Sequence, residues 1–271
     1  MTISLPAVRI GAASVLSLSA IALADNDPWA DAVVSYDPGI AAQTGYTNPN
    51  TALGRPERFT GEGFGFPGSV TPFAPAFGTD EIVSIGAGGH LTLRFDNAIT
   101  DDAANPFGTD LIIYNNSFFN VDDFFSPDTV ITGVEADGGS VELSADGITW
   151  VDATGIVADG GLPTLGFADE TNPFGGPAGS VPTDFRRATD PAFDPVGLSF
   201  TQLVAAYDGA AGGVGIDIGA FGLSSVSYIR ISNAADATRN IEIDAVVDAI
   251  PSPGPLALLP AALFALRRRR A

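Results

Sequence analysis

Along most of the chain, short stretches alternate apolar and polar residues with the period of two that marks half-buried strands. His90-Leu91-Thr92-Leu93-Arg94-Phe95 places Leu91, Leu93 and Phe95 on one face. Leu111-Ile112-Ile113-Tyr114 is apolar throughout and predicts a buried central strand. Val141-Glu142-Leu143-Ser144 and Ile148-Thr149-Trp150-Val151 flank Ala145-Asp146-Gly147, which predicts a hairpin turning at Asp146-Gly147 with Trp150 in the core. Further strands are predicted over residues 81–85, before the glycine-rich turn 86–89, and over residues 228–231 and 241–246. Residues 199–207 predict one short helix, with Ser199 as N-cap and Gly209 beyond its end. Many short strands separated by turns argue for an all-β fold, an antiparallel sandwich or barrel. Residues 159–194 and 61–77 read as long excursions between core strands; the second carries Phe64, Phe66, Phe73 and Phe77.

The two ends of the chain follow other patterns. Arg9 precedes an apolar run over residues 10–23, and Ala22-Leu23-Ala24 matches the small-residue cleavage pattern ahead of Asp25. Residues 1–24 therefore read as a secretory signal. At the other end, Pro251-Ser252-Pro253-Gly254-Pro255 makes a rigid break. Residues 256–266 are apolar apart from Pro260, and Arg267, Arg268, Arg269 and Arg270 close the run with four positive charges. Eleven apolar residues compare with about 17–25 in an ordinary spanning helix. The arginine block would hold that end on the cytoplasmic side while the body lies outside.

Proline break, apolar run and arginine block together resemble the PEP-CTERM sorting signal of exported bacterial proteins. The resemblance implies recognition by an exosortase-type membrane protease, cleavage near the proline motif, and release or attachment at the cell envelope. The usual Pro-Glu-Pro is matched by Pro251-Ser252-Pro253 or by Pro253-Gly254-Pro255, without the glutamate. The chain thus divides into a signal peptide (1–24), a β-sandwich ectodomain (25–250) and a sorting or membrane segment (251–271).

Composition narrows the chemistry. The 271 residues carry a formal net charge of -20. The body holds seven arginines and all 32 acids, a formal charge of -25. There is no cysteine, no lysine and a single histidine, His90. Thiol nucleophiles, disulfides, thiolate metal sites, Schiff bases and multi-histidine zinc sites are excluded. The acidic surface repels nucleic-acid phosphates. His90 would have to serve any Ser-His-Asp hydrolase, and it reads as a surface residue, since the body has no Gly-x-Ser-x-Gly elbow.

Carboxylates and carbonyls remain, and these are calcium ligands. Asp96, Asn97, Asp101, Asp102, Asn105 and Asp110 cluster within 15 positions, and Asp217 and Asp244 sit in or beside predicted strands. Asp96, Asp101, Asp217 and Asp244 are taken as candidate Ca²⁺ ligands. The same residue types also build turns and helix caps without any ion, so both readings stand. Gly212-Gly213-Val214-Gly215-Ile216-Asp217-Ile218 is a single copy of a calcium-nonapeptide-like run and reads as a loop entering a strand.

The order of Ala52-Leu53-Gly54-Arg55-Pro56, the 82–89 strand and turn, the 91–95 strand, Gly108-Thr109-Asp110 leading into Leu111-Ile112-Ile113-Tyr114, the 144–150 hairpin and Tyr228-Ile229-Arg230-Ile231 resembles the discoidin-like, galactose-binding-like sandwich of bacterial surface proteins. The resemblance implies a jelly-roll-type fold used in adhesion or glycan binding, often with a structural calcium. The expectation is an exported, non-catalytic surface module that binds extracellular polysaccharide or serves structurally, at the cell surface or in the extracellular matrix. It would be attached to the membrane at least transiently through its C-terminal segment. The alternative is a secreted polysaccharide hydrolase working through two carboxylates.

Overall fold

The computed structural model describes residues 27–123 and 129–250. The signal cleavage residues Ala22 and Ala24, the sorting residues Pro251, Pro253 and Pro255, and Arg267, Arg268, Arg269 and Arg270 lie outside the described residues.

Two antiparallel sheets face each other. The five-stranded sheet runs β1 (Ala32–Asp37), β5 (His90–Thr100), β12 (Ser225–Ser232), β9 (Ser140–Ser144) and β10 (Val151–Asp152). The four-stranded sheet runs β11 (Val214–Ile216), β6 (Leu111–Asn115), β13 (Ile241–Asp248) and β4 (Val83–Ile85). Two small ladders, β2 (Phe59–Thr60) with β3 (Gly68–Ser69) and β7 (Phe118–Val121) with β8 (Ile131–Glu135), lie outside these sheets.

Alternation explains the main core. Leu91, Leu93 and Phe95 of β5, Val141 and Leu143 of β9, and Ile229 and Ile231 of β12 point inward. They meet Ile85, Leu111, Ile113, Ile243 and Val246 of the opposite sheet. Each such side chain, fully buried, contributes about 1.5–3 kcal/mol relative to exposure.

Strand β6 has no solvent face, as its unbroken apolar run predicts. Leu111 and Ile113 join the main core, while Ile112 and Tyr114 belong to a cluster on the other side of the sheet with Phe185, Ala211 and Val247. The 159–194 excursion is therefore a cover: Phe185 meets the Tyr114 ring edge-on at 5.3 Å, and the Tyr114 hydroxyl donates to Phe185 O at 2.8 Å.

The predicted helix forms as α1 (Phe200–Tyr207). Ser199 caps it with a reciprocal pair: its hydroxyl accepts from Gln202 N, and its own N–H donates to Gln202 Oε1 at 2.9 Å. Phe200, Leu203 and Tyr207 pack with Phe73, Phe119, Ile131 and Leu165 in a second core. Phe73 of the 61–77 excursion is thus buried, whereas Phe64 and Phe66 are exposed.

Two local expectations are corrected. The 141–151 hairpin pairs Val151 with Leu143, but its loop spans residues 145–150 instead of turning tightly at Asp146-Gly147. Asp146 Oδ1 accepts from Ile148 N and Thr149 N, both at 2.8 Å, and Ser144 Oγ accepts from Gly147 N at 2.9 Å. Those donors are taken by side chains, so the predicted second strand is short. Trp150 is not in the core either. The inward positions of β9 and β12 are filled by Val141, Leu143, Ile229 and Ile231, and the loop lays Trp150, half-buried, against the outer face over Arg230.

Candidate functional site

Residues 101–110 connect β5 to β6 across one end of the four-stranded sheet. Asp110 ends this loop, is fully buried, and is held by three donors. Its Oδ1 accepts from Asp102 N at 3.0 Å and Asn105 Nδ2 at 2.8 Å, and its Oδ2 accepts from Ile218 N at 3.1 Å. Strand β11 pairs antiparallel with β6, Ile216 opposite Leu111, so Asp217 arrives beside Asp110. Asp101 follows β5 directly. Carboxylate oxygens of Asp101, Asp110 and Asp217 all lie within 4.8 Å of one another.

The loop backbone is wrapped closely around these groups. A Cβ added at Gly219 would stand 2.7 Å from Asp101 Oδ2, and one at Gly108, whose φ is +72°, 2.9 Å from Asp217 Oδ2. Asn105 Oδ1 is buried with no hydrogen-bond partner, on a side chain only 6% exposed. Three carboxylates beside an uncommitted amide oxygen make a hard donor set. Calcium binds oxygen at about 2.3–2.6 Å, so two ligands across one ion can stand roughly 4.8 Å apart. Oxygens that lie within that limit of one another can share one Ca²⁺ ion.

Of the four candidate ligands, Asp101 and Asp217 come together, joined by Asp110 and next to Asn105. Asp96 and Asp244 are placed elsewhere. Asp96 pairs with Arg94 at 2.6 Å, and its N–H donates to Asp31 Oδ2. Asp244 is buried on β13, and both of its oxygens accept from Glu57 N, at 3.1 and 3.3 Å. Burial pushes its carboxyl well above the usual range, and the negative charges of Glu57 and Glu81 push the same way. The sequence reading passes over a second trio, Asp137, Asp159 and Glu242. Its signal was the tetrapeptide Ala-Asp-Gly-Gly, which occurs at both 136–139 and 158–161.

The outer face of the five-stranded sheet has a different chemistry. The Arg230 guanidinium lies 3.9 Å from the centre of the Trp150 ring and pairs with Glu142 at 3.3 Å. Tyr228 meets Trp150 edge-on at 6.5 Å. Beside this stack is a polar hollow of about 360 Å³ lined by His90, Glu142, Arg230, Ser232 and Asn233. His90 is partly exposed, with a ring nitrogen 3.1 Å from Ser35 Oγ.

No protein-family model matches the chain, and a search of curated proteins finds no similar sequence. No helix among the described residues is long and apolar enough to cross a membrane.

Proposed function

We propose that this is an exported, envelope-associated, non-catalytic module with a jelly-roll, discoidin-like sandwich that binds an extracellular polysaccharide. The observation that carries the reading is the outer-face hollow. It offers hydroxyl, amide and charged groups, and Arg230 in its wall stacks on the Trp150 indole, which Tyr228 meets edge-on. Sugars are held by such polar groups together with an aromatic surface. A body of formal charge -25 repels anionic polymers, so the preferred glycan is neutral. Calcium at Asp101, Asp110 and Asp217 would fix the 101–110 loop and the β11 edge. The C-terminal proline break and arginine block would deliver the protein to an exosortase-type protease at the membrane.

A glycan array probed with the purified protein tests the binding. Signal on neutral glycans, lost in Trp150→Ala and Arg230→Ala proteins that still melt cooperatively, is the expected result. A flat array from folded wild-type protein would leave only a structural surface role. Reducing ends released from a polysaccharide would replace this reading with the hydrolase alternative. Delivery is read by intact mass: loss of the Arg267 to Arg270 block is expected in mature protein.

A further inference from the structure

The second acidic trio sits where two copies of one tetrapeptide meet. Ala136-Asp137-Gly138-Gly139 leaves β8, and Ala158-Asp159-Gly160-Gly161 begins the long excursion. The copies pair antiparallel through Gly138 and Asp159. Asp137 N and Gly138 N both donate to Asp159 O at 3.1 Å, and Asp159 N donates to Gly138 O at 2.8 Å. Gly138, at φ +107°, takes a backbone shape that a side chain would resist. This pairing holds the Asp137 and Asp159 carboxylates next to Glu242 of β13, with oxygens of all three within 4.8 Å of one another.

The Asp159 carboxylate is the unusual member. It is 1% exposed, and its Oδ2 accepts from Glu242 N at 2.9 Å. Its Oδ1 is buried and has no hydrogen-bond partner. An acceptor oxygen left unpaired inside a protein costs free energy, more so if charged. Glu242 is held by Ser84 Oγ, which donates to its Oε1 at 3.2 Å. Arg239, at the edge of the trio, is exposed: it pairs with Asp137 Oδ1 at 2.7 Å and with Glu135. Three acids against one shared arginine leave a local excess of negative charge. Burial and the neighbouring acids raise the Asp159 carboxyl well above its ordinary value, and burial raises Glu242 to about 7.

We propose that Asp137, Asp159 and Glu242 form a second divalent-cation site, for Ca²⁺, which ties the two Ala-Asp-Gly-Gly turns to strand β13. The ion would take the unpaired Asp159 oxygen as a ligand and neutralise the excess charge. Its remaining positions would go to water on the side where Asp137 and Glu242 are partly exposed. This site is independent of the Asp101, Asp110 and Asp217 cluster and of any glycan.

The test is calcium titration of the chelator-treated, full-length protein by calorimetry, with melting followed in parallel. The comparison is with Asp159→Asn, Glu242→Gln and Asp217→Asn proteins. Asp159→Asn is the primary variant, because its amide can donate to the neighbouring carboxylates and keep the packing. Expected is loss of one bound calcium in Asp159→Asn and in Glu242→Gln, with the calcium bound through Asp217 retained. The calcium-induced rise in melting midpoint, on the order of 5–10 °C at a hundredfold excess over Kd, should shrink in both variants. Should the first cluster bind nothing, the wild type would take up one ion, lost with Asp159→Asn and kept in Asp217→Asn. The same calcium stoichiometry and midpoint rise in Asp159→Asn and Glu242→Gln as in wild type would overturn the proposal. So would a wild type that takes up no calcium at millimolar concentration.

Discussion

At the Leu111 end of β6, Asp110 is completely buried and receives hydrogen bonds from Asp102 N, Asn105 Nδ2 and Ile218 N. At the Asn115 end, Asn115 Nδ2 donates to Ala158 O and Gly160 O, which flank the equally buried Asp159. Asp159 receives Glu242 N at one oxygen and has nothing at the other. Each end brings oxygens of three acids within 4.8 Å of one another. They differ in who satisfies the buried carboxylate. The first end uses backbone and amide donors, so its geometry can persist without an ion. The second lacks those donors, and a cation there would supply what the protein does not. Acid count alone does not separate the two; the hydrogen-bond inventory of the buried member does.

The largest expected effect follows from the three donors on Asp110. In chelator, Asp110→Asn turns one acceptor into a donor facing other donors. It should cost about 2–4 kcal/mol, a drop in melting midpoint of roughly 5–15 °C. Urea unfolding at neutral pH measures it. A cost below about 1 kcal/mol would mean that those donors find other partners and that the two ends of β6 are less different than their geometry says.

The next effect concerns affinity. Gly219→Ala places a Cβ 2.7 Å from Asp101 Oδ2 and forces that carboxylate aside. Calcium affinity at the first cluster should fall about tenfold, or 1.4 kcal/mol, with the second site unaffected. Calorimetry that resolves the two sites would show whether they are separable.

Smaller still is the metal-free effect at the other end. In chelator, Asp159→Asn removes a carboxylate that has one unpaired oxygen and repels its neighbours, so stability should stay level or rise by up to about 1 kcal/mol. A clear loss in urea unfolding would show that the metal-free fold already accommodates this acid, and would break the contrast with Asp110.

The sequence made visible what local rules determine. The apolar run of β6, the alternation of β5 and the Ser199 cap each depend on residues close in the chain. The facing of Trp150 was not visible, because period two says that a residue alternates but not which face its loop will lay it on. Asp101 and Asp110 are neighbours in one loop, whereas Asp217 joins them through the register of β11 on β6. The second trio needed more: a turn-to-turn pairing across 21 residues and a partner on the last strand. The repeated tetrapeptide was legible, but its two copies meet only because the excursion returns past the end of β8.

The smallest expected effect is one of pH, and it concerns a partly buried acid that has a cation beside it. Asp248 ends β13, with Arg186 at 3.8 Å. Burial raises its carboxyl to about 6 from 3.8, while Arg186 pulls it back down and Asp110 pushes it up. The folded protein therefore holds this proton over a window in which the unfolded chain has released it. Stability from this group is greatest below about pH 4, falls as pH rises towards 6, and levels off above. Asp248 is partly exposed, so solvent screening keeps the effect to a few tenths of a kcal/mol. Asp248→Asn has no proton to lose. Its melting midpoint relative to wild type should climb by about 1 °C between pH 4 and pH 7, measured in chelator. A difference that stays constant across that range would mean that Arg186 fully compensates the burial.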